Sequence, residues 1–85
     1  MKCRGKIIVT LRPGVFDPQG VTIKSALHTL GYGETLEVKT GKFFEVILET
    51  ESLEKAKERL QEMCDQLLAN PVIEQYLLEV EEQSR

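Results

Sequence analysis

An α+β sandwich is the fold class this sequence predicts, and three observations predict it. Apolar and polar residues alternate near both ends of the chain and again in its middle, as strands with one buried face do. Apolar residues recur at three- and four-residue steps in two other stretches, as helices require. Turn and cap residues fall at the joints between these stretches. The 85 residues make a single domain, 1–85. A chain of this length buries only roughly 60–65% of its unfolded surface, and its stability is on the order of 4–13 kcal/mol. That margin favours a partner or a second copy.

The first strand runs from Lys2 to Leu11, with Cys3, Gly5, Ile7, Val9 and Leu11 on one face and Lys2, Arg4, Lys6 and Thr10 on the other. Only Ile8 interrupts the polar set. The following "LRPGVFDPQG" holds two turn signals. Pro13-Gly14 suits a type II turn, because proline fixes φ and glycine accepts a positive one. Asp17 is placed to cap a helix, with Pro18 at its first position and Phe16 and Val21 at the two ends of a hydrophobic staple. Ile23, Ala26, Leu27 and Leu30 form the apolar stripe of that helix, and Gly31 ends it.

A hairpin is predicted next. "TLEVKT" puts Leu36 and Val38 on one face, Thr40-Gly41 makes the turn, and "KFFEVILE" returns with Phe44, Val46 and Leu48 inward. The second helix opens on Ser52 and carries Leu53, Ala56, Leu60, Met63, Cys64, Leu67 and Leu68 on its apolar side. Its acidic side, with Glu54, Glu58, Glu62 and Asp65, reads as a solvated face with pairs such as Glu51 and Lys55. Asn70 precedes a proline, so the helix stops near Ala69. A last strand from Glu74 to Glu81 turns Tyr76, Leu78 and Val80 inward.

The element order β-α-β-β-α-β predicts a ferredoxin-like sandwich: an antiparallel four-stranded sheet, order 4-1-3-2, with both helices on one face. Charge agrees with a central first strand. Its Lys2, Arg4 and Lys6 face outward, and so do Glu45, Glu49 and Glu79 of the two strands that flank it in this order.

Composition excludes several function classes. A net charge of −3 is the wrong sign for a nucleic-acid footprint. No apolar run approaches the roughly 18 residues of a membrane span, and Met1 leads straight into strand-like sequence, so a cytoplasmic, membrane-free protein is expected. Cys3 and Cys64 read as buried reduced thiols; with one histidine in the chain and no CxxC, no metal site is expected.

The loop "LRPGVFDPQG" also resists a phosphate-binding reading, because the Asp17 carboxylate takes the helix amides that would hold an anion and repels it. His28 lies off the apolar stripe, without the Ser, Cys or Asp partners of a general base, and reads as a surface residue. No paired carboxylates converge. The chain therefore has no catalytic set of its own. What points outward is a cluster on the sheet face away from the helices: Ile8, Phe43, Ile47 and Leu77, apolar among charged neighbours on three strands. Scattered surface apolar residues are ordinary, but alignment across three strands favours self-association or contact with a partner.

Four segments together, "LRPGVFDPQG", "ALHTLGY", "GKFFEV" and "LLANPVIEQY", resemble the PurS family, the small subunits of phosphoribosylformylglycinamidine (FGAM) synthase. The resemblance covers almost the whole chain in the right order. It implies a purine-biosynthesis complex in which a large synthetase subunit (PurL) uses ATP and Mg²⁺ to activate the amide of formylglycinamide ribonucleotide (FGAR), and a glutaminase subunit (PurQ) releases ammonia from glutamine. It implies further that the small subunit pairs with itself as a homodimer or larger assembly and bridges the two catalytic subunits, binding no cofactor and supplying no catalytic residue. An ACT-like regulatory module that binds a small molecule between paired domains shares the element order and is the alternative. An RNA-recognition domain is opposed by the glutamates beside Phe43 and Ile47, and an acylphosphatase by the lack of an Arg/Asn-bearing phosphate loop after the first strand.

Overall fold

The alternating pattern of the first strand is seen in β1 (Lys2–Leu11), around which the molecule is organised. The computed structural model describes residues 1–83. After β1 come α1 (Pro18–Thr29), β2 (Gly41–Glu49), α2 (Leu53–Met63), a π-helical turn (Cys64–Leu68) and β3 (Glu74–Glu82). The sheet is three-stranded in the order β2-β1-β3, with both neighbours antiparallel to β1.

That sheet corrects the predicted four-stranded 4-1-3-2 sandwich. The central place of the first strand stands, but residues 35–40 join no ladder among the described residues. Two local interactions explain the difference. Gly41 is not a turn residue but the first paired residue of β2, opposite Thr10. A side chain there would bring its Cβ to 2.5 Å from the Val9 carbonyl oxygen, so glycine lets the ladder begin at that point. Thr40 donates its amide to Asp17 Oδ2 at 2.8 Å, which fixes it to a residue remote in sequence and not within a hairpin turn.

The core lies on the inner side of the sheet, where Cys3, Ile7 and Val9 of β1 meet Ala56, Leu60 and Cys64, all at most 1% exposed. α2 lies over β1 and β3. Gly5 permits its close approach, since a Cβ there would stand 2.5 Å from Leu60 Cδ1. Ser52 caps α2 through the Lys55 amide at 3.1 Å. The solvated side carries i,i+3 ion pairs, Lys55–Glu58 at 3.7 Å and Arg59–Glu62 at 3.1 Å. Below them the Ala69 amide donates to the Cys64 carbonyl at 3.0 Å, which widens the last turn. The wider turn carries Leu67 out of the predicted stripe, to 83% exposure, while Leu68 and Met63 pack on the core.

The prediction that both helices cover one sheet face also fails, because α1 makes no extensive contact with any other element. Its turn and its two helix ends nonetheless form as predicted. The Val15 amide closes a turn onto the Arg12 carbonyl at 3.1 Å, with Gly14 at φ 89°, as a type II turn requires. Gly31 at φ 105° ends the helix; its amide reaches the His28 carbonyl at 3.1 Å and that of Tyr32 the Leu27 carbonyl at 2.9 Å, the paired bonds of a Schellman motif. Phe16 and Val21, predicted as a staple, remain 71% and 53% exposed. The molecule is accordingly drawn out, 51 × 30 × 14 Å, with a radius of gyration of 16.6 Å. A compact domain of this length has about 12 Å.

Candidate functional site

Antiparallel registers decide which outward residues meet. Ile8 stands opposite Phe43 on one side and Leu77 on the other, so these three form one row across all the strands. Their exposures are 46%, 60% and 71%. Ile47, at 47%, stands four residues along β2 from Phe43, opposite Arg4. The four residues picked from the sequence thus share one face and lie open on it. Lys6 separates the row from Arg4 and sits between Glu45 and Glu79, while Lys2 faces Glu49. Arg4 Nε lies 3.4 Å from Glu45 Oε2, an ion pair whose alignment falls short of a hydrogen bond. The face is therefore an apolar bar beside a neutralised charged field, suited to contact with another polypeptide.

A second feature lies where α1 meets the entry to β2. A cleft of about 880 Å³ opens there, with Arg12, Phe16, Asp17, Lys24, Leu36 and Lys39 among its walls. Its Asp17 and Arg12 are already bonded within the chain. Asp17 Oδ1 accepts from the Gly20 amide at 2.8 Å, and Oδ2 accepts from the Thr40 amide at 2.8 Å. The Thr40 hydroxyl adds a bond to the same carboxylate at 3.1 Å. The amide bonds from Gly20 and then Thr40 hold the Asp17 carboxyl below its ordinary value of 3.8. Gly20 is buried against the Val38 carbonyl, where no Cβ fits. Arg12 is spent on the Pro71 carbonyl, which its Nη2 and Nε reach at 3.0 and 3.3 Å. The loop quoted from the sequence is a clamp that joins the start of α1 to the start of β2, and the carboxylate occupies the place an anion would need.

His28, Cys3, Cys64 and Tyr76 serve structure. His28 is exposed, with Nε2 placed 2.8 Å from the Thr35 carbonyl, so it ties the 30–35 loop to α1. Cys3 and Cys64 are free, buried thiols. Burial, then the Asp65 carboxylate, push the Cys64 thiol up, away from the reactive thiolate. Burial and the same carboxylate raise Tyr76, whose hydroxyl donates to Asp65 Oδ1 at 3.3 Å. Among the described residues, no three His, Cys, Asp or Glu side chains are grouped to hold a metal ion, and no helix is long and apolar enough to cross a membrane. The clamp from Asp17 to Thr40 escaped the sequence reading, because nothing local links residues that far apart.

Known proteins resemble this chain over nearly all of it. The PurS family model, described as phosphoribosylformylglycinamidine (FGAM) synthase, matches residues 4–82. The PurS subunit of that synthase from Methanocaldococcus jannaschii is 46% identical over 78 residues, 92% of this chain and 94% of the relative. The crystal structure of the M. jannaschii PurS, one of the subunits of a formylglycinamide ribonucleotide amidotransferase of purine biosynthesis, superposes with a TM-score of 0.87 at 44% identity, covering 96% of this chain and 99% of the other. A score that high over that coverage needs the arm formed by residues 12–40 to lie in the same place in both. A chain in the structure of PurLQS from Thermotoga maritima also gives a TM-score of 0.87, at 32% identity, covering 95% of this chain and 99% of its own length.

Proposed function

The chain belongs to the PurS family of FGAM synthase subunits, and from that premise we propose that it is the non-catalytic small subunit of such a complex. Its part is to bridge a large synthetase subunit (PurL) and a glutaminase subunit (PurQ) while they convert FGAR to FGAM with glutamine and ATP. ATP and Mg²⁺ are held by the synthetase, and this chain binds neither. The complex works in the cytoplasm. The relative from T. maritima, solved as PurLQS, supports the choice of partners.

The observation that carries the reading is the outward bar Phe43-Ile8-Leu77, exposed on the same face as Ile47. An apolar bar that crosses every strand loses free energy in water at about 25 cal/mol for each Å² left uncovered. We assign it to contact between copies of the chain, which presents the two catalytic subunits with a paired scaffold. Assembly tests the reading. The chain is mixed with a matching synthetase and glutaminase, and the products are separated by size with light scattering. A single three-component species that fails to form without this chain is expected; the same synthetase–glutaminase species in its absence contradicts the role.

A further inference from the structure

We infer that the cleft between α1 and the end of the sheet binds a small organic monocarboxylate, with the carboxylate between Lys24 and Lys39 and an apolar body against Phe16, Val21 and Leu36. The site is separate from the outward bar and does not rest on the synthase reading.

Three pieces of chain wall the cleft: residues 10–16, the first turns of α1, and residues 36–40, with Gln75 of β3 beside them. Its volume, about 880 Å³, lies within the roughly 300–1,000 Å³ of small-molecule sites, which likewise pair apolar walls with a few polar groups. Three large apolar side chains of its lining stand open, Phe16 at 71%, Val21 at 53% and Leu36 at 85% exposure. The walls are fixed before any ligand arrives. Asp17 joins α1 to Thr40, and Arg12 ties the loop after β1 to the Pro71 carbonyl. Binding to a preformed cleft orders little of the chain. A concave site of this size suits a small molecule better than the face of another protein.

Charge selects the class of ligand. Arg12, Lys24 and Lys39 stand against Asp17 and Glu37 in the lining, and three minus two leaves one net positive charge. The chain as a whole has 14 acidic and 11 basic residues, yet neither Lys24 nor Lys39 is paired with a carboxylate among the described residues. Lys24 is half-buried, and a charge drawn out of water calls for a partner of opposite sign. The backbone of residues 36–39 also makes no hydrogen bond among the described residues, so ammonium and amide donors are both open on that side. One carboxylate neutralises the lining. A phosphate dianion would leave excess negative charge beside Asp17, which already holds the Gly20 amide at the start of α1. A free amino acid would bring an ammonium to a lining that is positive without it.

Proton–nitrogen correlation NMR of the full chain, titrated with indole-3-propionate as the probe, tests the site. Saturable shifts are expected at millimolar concentration, centred on residues 12–24 and 36–40. No saturable shift, or shifts centred elsewhere, overturns the inference. Two probes with the same ring test the class on the unaltered chain. Indole-3-propanol, which lacks the charge, and tryptophan, which adds an ammonium, are each expected to bind about tenfold more weakly. Equal binding of either one overturns the inference. The Lys24→Met, Lys39→Met double variant is expected to lose about tenfold in affinity for indole-3-propionate and nothing for the alcohol. Its dispersed spectrum reports that it is folded, and unchanged affinity for the carboxylate in that folded variant overturns the inference. The comparison of probes on the unaltered chain decides without it.

Discussion

Replacing Ile8 by glutamate places a charge at the centre of the outward bar, between Phe43 and Leu77. Ile8 is 46% exposed in the single chain, so nearly half of it is left for a second copy to cover. Full burial of such a side chain is worth about 1.5–3 kcal/mol, and covering the open half therefore contributes about 0.7–1.4 kcal/mol per copy. A two-fold contact counts it twice, about 1.4–2.8 kcal/mol. An unpaired carboxylate in the same place adds a desolvation penalty of several kcal/mol, because the nearest base on that face, Lys6, already stands between Glu45 and Glu79. The sum exceeds about 3 kcal/mol, which weakens association by roughly a hundredfold or more. The side chain points away from the core, so the single chain loses only its cross-strand pairs, about 0.2–1 kcal/mol each. Sedimentation velocity at micromolar concentration reads the outcome. The mass is expected to halve with the circular dichroism spectrum retained. A folded Ile8→Glu variant of wild-type mass would refute the reasoning, since an open bar that tolerates a charge is not a contact.

Other expectations concern the fold that presents these surfaces. Leu60→Ala, at a fully buried position against β1, is expected to lose about 2–5 kcal/mol in denaturant titration; a loss below about 1 kcal/mol means that the site is not the centre of the core. Gly5→Val drives a side chain into Leu60 and is expected to lose about 1–3 kcal/mol through overpacking, read as a lowered thermal midpoint, with no change counting against close helix–sheet contact. The clamp is pH-dependent: Asp17 titrates below its ordinary 3.8 when folded, so on acidification the unfolded chain takes up the proton first. The stability gap between wild type and Asp17→Ala should hold above about 3.8 and narrow as pH falls through the folded value, whereas a gap of constant size denies the carboxylate its role. Neither Cys3 nor Cys64 should react with a thiol reagent until the chain unfolds, and prompt labelling of the native protein contradicts their burial.

The sequence made the local structure legible wherever its cause is local. Asp17 and Ser52 cap their helices, Pro13-Gly14 turns, Gly31 ends α1, and the opposite charges on Lys6, Glu45 and Glu79 place β1 at the centre. The outward row was legible for the same reason, because period-two alternation fixes a residue's face once the strands are ordered. What failed was anything decided at a distance. An amphipathic stripe announces that α1 needs a surface but not which surface, and the chain does not bring α1 onto its own sheet. Thr40-Gly41 has the composition of a hairpin turn, but Asp17 takes the threonine's donors and Gly41 pairs with Thr10. Leu67 fits an ideal helical period and leaves it only because the turn after Cys64 is wider than an α-helical one.

Glutamine-dependent formation of FGAM by a matching synthetase and glutaminase, titrated with this chain, tests the central claim most directly. Turnover is expected to rise with added wild-type chain to a plateau at a fixed ratio of subunits, and the Ile8→Glu chain is expected to fall short of that plateau. Equal turnover with and without the chain would contradict the account, as would product formation by the chain alone.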